Sequence, residues 1–117
     1  MDIWKHGTYV DMWSIVHLLS GFVLAGLFFL FGFSFSVAII ASVFLLLFWE
    51  VFEAVVKIVE PSINVIVDII IGFVGFLVGA QLFYIMGWPA SHVLYGLVLT
   101  IALAVWGFVD FLKRGYR

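Results

Sequence analysis

Four apolar runs, each about as long as a bilayer is thick, constrain this chain more than anything else in it. A helix needs about 20 mostly apolar residues to cross about 30 Å of hydrocarbon. Such runs cover approximately residues 9–31, 35–56, 63–86 and 90–112, the first starting at Tyr9 or Trp13. Only Gly32-Phe33-Ser34, the stretch from Lys57 to Ser62 with Pro61, and Gly87-Trp88-Pro89 separate them. Connections this short make consecutive helices antiparallel neighbours. The expectation is an all-α integral membrane four-helix bundle, with residues 1–117 as a single transmembrane domain.

Composition gives the physical reason. Charged residues are 10% of the chain and hydrophobic ones 67%, whereas soluble domains carry roughly 25% charged residues. Polar side chains are too few to cover a surface that faces water, so lipid must cover it. The net charge of -2, with no basic patch, excludes a nucleic-acid partner. The absence of cysteine excludes disulfides, thiolate metal sites and cysteine nucleophiles. The first apolar run does not read as a cleaved signal peptide. It contains His17 and Ser20, has little basic charge ahead of it and is followed by no small-residue cleavage pattern.

The charges also orient the bundle. Lys5, Lys57, Lys113, Arg114 and Arg117 all fall at the termini or in the second connection, and none falls in the first or third. In an even-numbered bundle those regions share one side, and the positive-inside rule makes it cytoplasmic. The expected location is a cell (cytoplasmic) membrane, multi-pass, with both termini inside. Trp88 suits the far interface, and Trp4, Trp13 and Tyr116 the near one.

Ionisable residues inside a span are costly and usually face the bundle interior. Glu50 lies seven residues before Lys57 and Asp68 seven after Pro61, each roughly 10 Å inside at 1.5 Å per residue. His17, nine residues after Thr8, is roughly 13 Å in if the helix starts there. Three helices thus bring an ionisable group to one depth, and Glu53, one turn shallower than Glu50, points the same way. Asn64, Asp68, Gly72, Gly75 and Gly79 form one helical stripe, polar in its inner half and glycine in its outer half. Asp11, Ser14, His17, Gly21 and Ala25 form another; Ala38, Ser42, Glu50, Glu53 and Lys57 a third; Gly96, Thr100, Ala104 and Gly107 a fourth. Small residues permit close helix approach in lipid.

The candidate site is therefore His17, Glu50, Glu53 and Asp68, with Asp11 and Asn64 as its second line. Carboxylates gathered in low dielectric cannot all stay ionised alone, so a cation neutralises them or some hold protons. A divalent metal ion liking oxygen and one imidazole fits this donor set. A shared first shell needs Glu50 and Asp68 well within about 12 Å of each other, since ligand bonds are about 2.0–2.6 Å. Plainer roles stand beside this one. Asp11, three residues after Thr8, has capping-box spacing. Glu53 and Lys57 have ion-pair spacing at i,i+4. A buried hydrogen-bond network would also use Glu50, Asp68 and His17. His92 reads as an interfacial residue or a cap.

No phosphate-binding glycine loop or serine elbow is present, and Ser14, His17 and Asp11 on one helix do not make a triad. If the chain is an enzyme, metal-assisted hydrolysis or transfer on a lipid head group is the chemistry left. The leading reading is a site for a cation or a lipid head group near the cytoplasmic face. A proton- or cation-coupled transporter, with a homo-oligomer supplying missing walls, is a second. A non-catalytic subunit that binds membrane lipid or a partner is a third.

The pattern Asp11-x5-His17-x3-Gly21, then Trp49-Glu50-x2-Glu53, then Asp68-x3-Gly72-x2-Gly75 resembles the small VanZ-like and YjdF-like bacterial and archaeal membrane proteins. The resemblance covers about residues 8–82. It implies a bundle of four or five helices with the acidic and histidine positions gathered at one face. Glu53 stands where VanZ-like proteins commonly have glutamine, Ile71 replaces an asparagine, and no arginine lies between the second and third runs. The chain is thus more similar to the YjdF type, and the glycopeptide-resistance link of the VanZ type does not carry over.

Overall fold

A computed structural model gives the fold and describes residues 3–4, 11–55 and 62–114, with Arg114 described by its backbone alone. Its helices are α1 (Met12–Leu30), α2 (Phe35–Val55), α3 (Ser62–Ala80) and α4 (Ala90–Arg114). All four helices among the described residues are long and apolar enough to cross a membrane, α3 together with the turn that follows it. The long dimension of the molecule, 41 Å, is close to the roughly 40–45 Å of a bilayer with its head groups. The expected four-helix bundle is the observed architecture.

Local chemistry sets the helix ends. Asp11 is the N-cap of α1. Its carboxylate accepts from the Ser14 amide, and Ser14 Oγ accepts from the Asp11 amide, a reciprocal capping box. The reading of Asp11 as a cap of the first helix is the observed one, with Ser14 closing the box. Thr8 lies outside the described residues. Gly32 ends α1 in the left-handed region at φ 79. Phe33 N–H bonds Phe28 O and Gly32 N–H bonds Phe29 O, the Schellman pattern that a Cβ would disfavour. The third span is not one regular helix to Met86. A π-helical turn, Gln81–Ile85, follows α3, closed by Met86 N–H on Gln81 O. Gly87 at φ 70 and Pro89 then turn the chain into α4.

The tightest packing is between α1 and α3, which are not consecutive. It depends on missing side chains. A Cβ on Gly21 would strike Gly72 O and lie 2.6 Å from Phe76 N; one on Gly75 would strike Leu18 O. Gly79 faces Phe22 O at 2.8 Å on the same terms. Ala25, Phe28, Ala38, Phe76 and Ala80 fill the outer half as one buried cluster. α2 rests on α1 and α3, and α4 is seated mainly on α1.

Near the start of α1, Trp4 and Trp13 are 1% and 7% exposed. They pack edge to face at 5.0 Å, with Trp106 at 5.5 Å from Trp4. They sit at the end of the bundle where the sequence put the near interface, with their rings packed inward. Indole rings pack favourably edge to face, and Gly107 leaves room for Trp4 against α4. Tyr116, with Lys5, Lys57 and Arg117, lies outside the described residues.

Candidate functional site

Three helices deliver the core of the site. α1 brings His17, α2 Glu50 and α3 Asp68, and one ligand atom from each lies within 4.8 Å of the other two. Their side chains are 5%, 10% and 0% exposed, so bulk water does not solvate them. His17 Nε2 is 3.3 Å from Glu50 Oε1, and His17 Nδ1 is 3.9 Å from Asp68 Oδ2.

The surrounding groups fix how these side chains point. His17 Nδ1 lies 2.7 Å from the Trp13 carbonyl. A carbonyl only accepts, so Nδ1 carries the proton and donates. That bond fixes the ring and aims Nε2 at Glu50. Ser14 Oγ donates to Asp68 Oδ1 at 3.2 Å, which leaves Oδ2 toward the imidazole. Metal-binding histidines and carboxylates are typically held by such outer hydrogen bonds. Three atoms are then left over. His17 Nε2, Glu50 Oε1 and Asp68 Oδ2 are buried and have no hydrogen-bond partner among the described residues.

The other candidates sit around this trio. Asn64 Nδ2 donates to Asp11 Oδ2 at 3.3 Å, with Asn64 fully buried. Asp11 is joined to Asp68 through Ser14, so the second line forms a polar layer between the trio and the helix ends. Glu53 is buried at 4% exposure but lies outside the close group. It lines a separate cleft between α2 and α4. His92 is remote, its ring tilted against Trp88 at 4.7 Å beside Ser91. Ser14 does not serve His17, so no triad forms on α1. The role of Ser14 was open to a sequence signal: it lies three residues from both Asp11 and His17, on their stripe. The Trp13 carbonyl carried no such signal.

No family model, curated protein or solved structure matches this chain.

Proposed function

We propose that the protein is a small membrane protein that holds a divalent cation between His17, Glu50 and Asp68. One observation carries this reading. Three buried side chains, one from each helix, each bring a ligand atom within 4.8 Å of the other two, and His17 Nε2, Glu50 Oε1 and Asp68 Oδ2 have no hydrogen-bond partner among the described residues. With Nδ1–H given to Trp13, a neutral His17 presents a lone pair to Glu50 Oε1. Two acceptors at 3.3 Å repel unless a positive centre lies between them. Two ligands of one tetrahedral ion, each at about 2.0–2.2 Å, lie about 3.3–3.6 Å apart. The separation of His17 Nε2 and Glu50 Oε1 falls in that range. Two carboxylates balance a divalent charge, and mixed nitrogen and oxygen donors suit zinc, manganese or iron. A bound ion would supply Lewis acidity there, while Trp13 O and Ser14 hold the ligands in place.

The chain is further proposed to belong with the VanZ-like and YjdF-like proteins. The ordered acidic and histidine positions and the four-span bundle support that placement. The cation is proposed to reach the site from the cytoplasm, because the basic residues put the polar half of the bundle on that side.

Elemental analysis of detergent-purified protein tests the site. Stoichiometric metal is expected in the wild type and none in a still-folded Glu50→Gln/Asp68→Asn variant. Metal-free protein of both kinds, purified without chelator and given metal back, would end the cation reading and leave protons on the carboxylates.

A further inference from the structure

A cleft of about 350 Å³ lies between α1, α2 and α4. Leucines of all three helices line it, Leu24 and Leu27, Leu45 and Leu46, and Leu97. Its two hydroxyls are turned away, Ser20 to Val16 O and Thr100 to Gly96 O, each at 2.7 Å. Such a surface suits hydrocarbon, not water. Among the described residues one ionisable side chain interrupts it, and that is His17 of the cation site. On α2, Leu46 lines the cleft and Glu50 follows one turn on, along the same face. The inner end of the cleft thus adjoins the trio. From His17 to Leu27 the lining covers ten residues of α1, roughly 15 Å, and runs toward the outer half of the bundle.

We propose that this cleft brings the cation a single-chain fatty acid, its carboxylate on the ion and its chain along the leucines. The proposal rests on the cation reading above and names the ligand that completes that site. Three protein ligands leave a tetrahedral ion one open position, which water or an outside ligand fills. The trio is 5%, 10% and 0% exposed, so bulk water is not at hand, whereas the apolar cleft shares His17 with it. A carboxylate oxygen is an ordinary ligand for such an ion, and hydrocarbon suits the approach. Both halves are needed to choose the occupant. A soluble anion would leave the cleft unfilled, and a neutral chain would leave the ion without its fourth ligand. A helix from a second copy is too thick: one turn about 10 Å wide and 5.4 Å long takes about 400 Å³.

The test offers palmitate and hexadecanol, which share one chain length, to the full chain, stripped of lipid in detergent and reloaded with zinc. Native mass spectrometry then counts retained amphiphile and metal together. Palmitate is expected to be retained over hexadecanol by about tenfold, or about 1.4 kcal/mol. The Glu50→Gln/Asp68→Asn variant should lose that preference along with the metal. Ile101→Trp places a large ring in the cleft from a half-exposed position and should lower palmitate retention by about tenfold. Leu99→Trp, equally exposed but on the other side of α4 and outside the lining, should leave it unchanged. Both tryptophan variants should keep the metal. Equal retention of palmitate and hexadecanol by zinc-loaded protein would overturn this proposal and leave the cation site standing. So would a preference that survives loss of the metal, or equal effects of the two tryptophans. Wild-type protein that takes up no zinc, manganese or iron would overturn the cation reading and this proposal with it. Phosphatidic acid retained in place of palmitate would overturn the proposal in favour of a two-chain lipid.

Discussion

At the residue scale, Ser14 decides how well the candidate site is organised. It has one hydroxyl proton and two carboxylate oxygens in reach, Asp68 Oδ1 at 3.2 Å and Asp11 Oδ1 at 3.5 Å. The nearer and deeper one, on a fully buried Asp68, has the stronger claim, because an unsatisfied buried oxygen costs more. Ser14 also closes the capping box, so one side chain ties the start of α1 to the middle of α3. Ser14→Ala is expected to cost about 1–2 kcal/mol in stability. It should weaken cation binding by about 10–100-fold, the usual effect of losing an outer hydrogen bond to a ligand. Ser20→Ala is the control: that hydroxyl donates to the Val16 carbonyl of its own helix. Metal titrations of the two variants, with thermal unfolding beside them, would decide. Equal affinities in both would remove Ser14 from the site.

At the scale of elements, the α1–α3 contact is a backbone-to-backbone seam, and its glycines should respond according to what they face. Gly21→Ala and Gly75→Ala would each drive a methyl into a carbonyl of the partner helix, Gly72 O and Leu18 O respectively. Backbone cannot swing aside as a side chain does. Each is expected to destabilise by about 1–3 kcal/mol or more, with helices parting and the trio of ligands opening. Gly32→Ala meets nothing within 4 Å. It strains only the left-handed cap, at about 1–2 kcal/mol. Unfolding midpoints in mild detergent, read with metal retention, separate the two classes: the seam variants should lose metal, and Gly32→Ala should keep it. This seam was legible because its residues repeat at helical spacing. Asn64, Asp68, Gly72, Gly75 and Gly79 are all buried, as the stripe predicts. The seat of α4 on α1 was not legible, since a short connection fixes direction but not which partner a helix leans on. The offset of Glu53 was only half legible. At about 100° per residue, a position three residues on is turned about 60° from Glu50. That turn carries it from the trio toward α4. Nor does sequence spacing reveal the π turn at Gln81–Ile85.

At the scale of the whole molecule, the bundle is unequal along its axis. Its outer half is closed by glycine, alanine and phenylalanine packing. Its inner half holds every ionisable group of the trio and its polar layer. A cation can therefore arrive without crossing the tight half only from the side on which α1 begins and α2 ends. Which compartment lies there determines what the site can sample. The proposed orientation, from the positive-inside rule and the five basic residues, makes that compartment the cytoplasm. The chain is suited to a direct test because it has no cysteine, so a single introduced thiol reports alone. Ser91 and Lys113 are exposed near opposite ends of α4. With a membrane-impermeant maleimide on intact cells, Ser91→Cys is expected to label at once and Lys113→Cys only after permeabilisation. The opposite pattern would invert the bundle and open the trio to the outer compartment. Extracellular chelators would then be expected to strip the ion from intact cells, which the cytoplasmic orientation forbids.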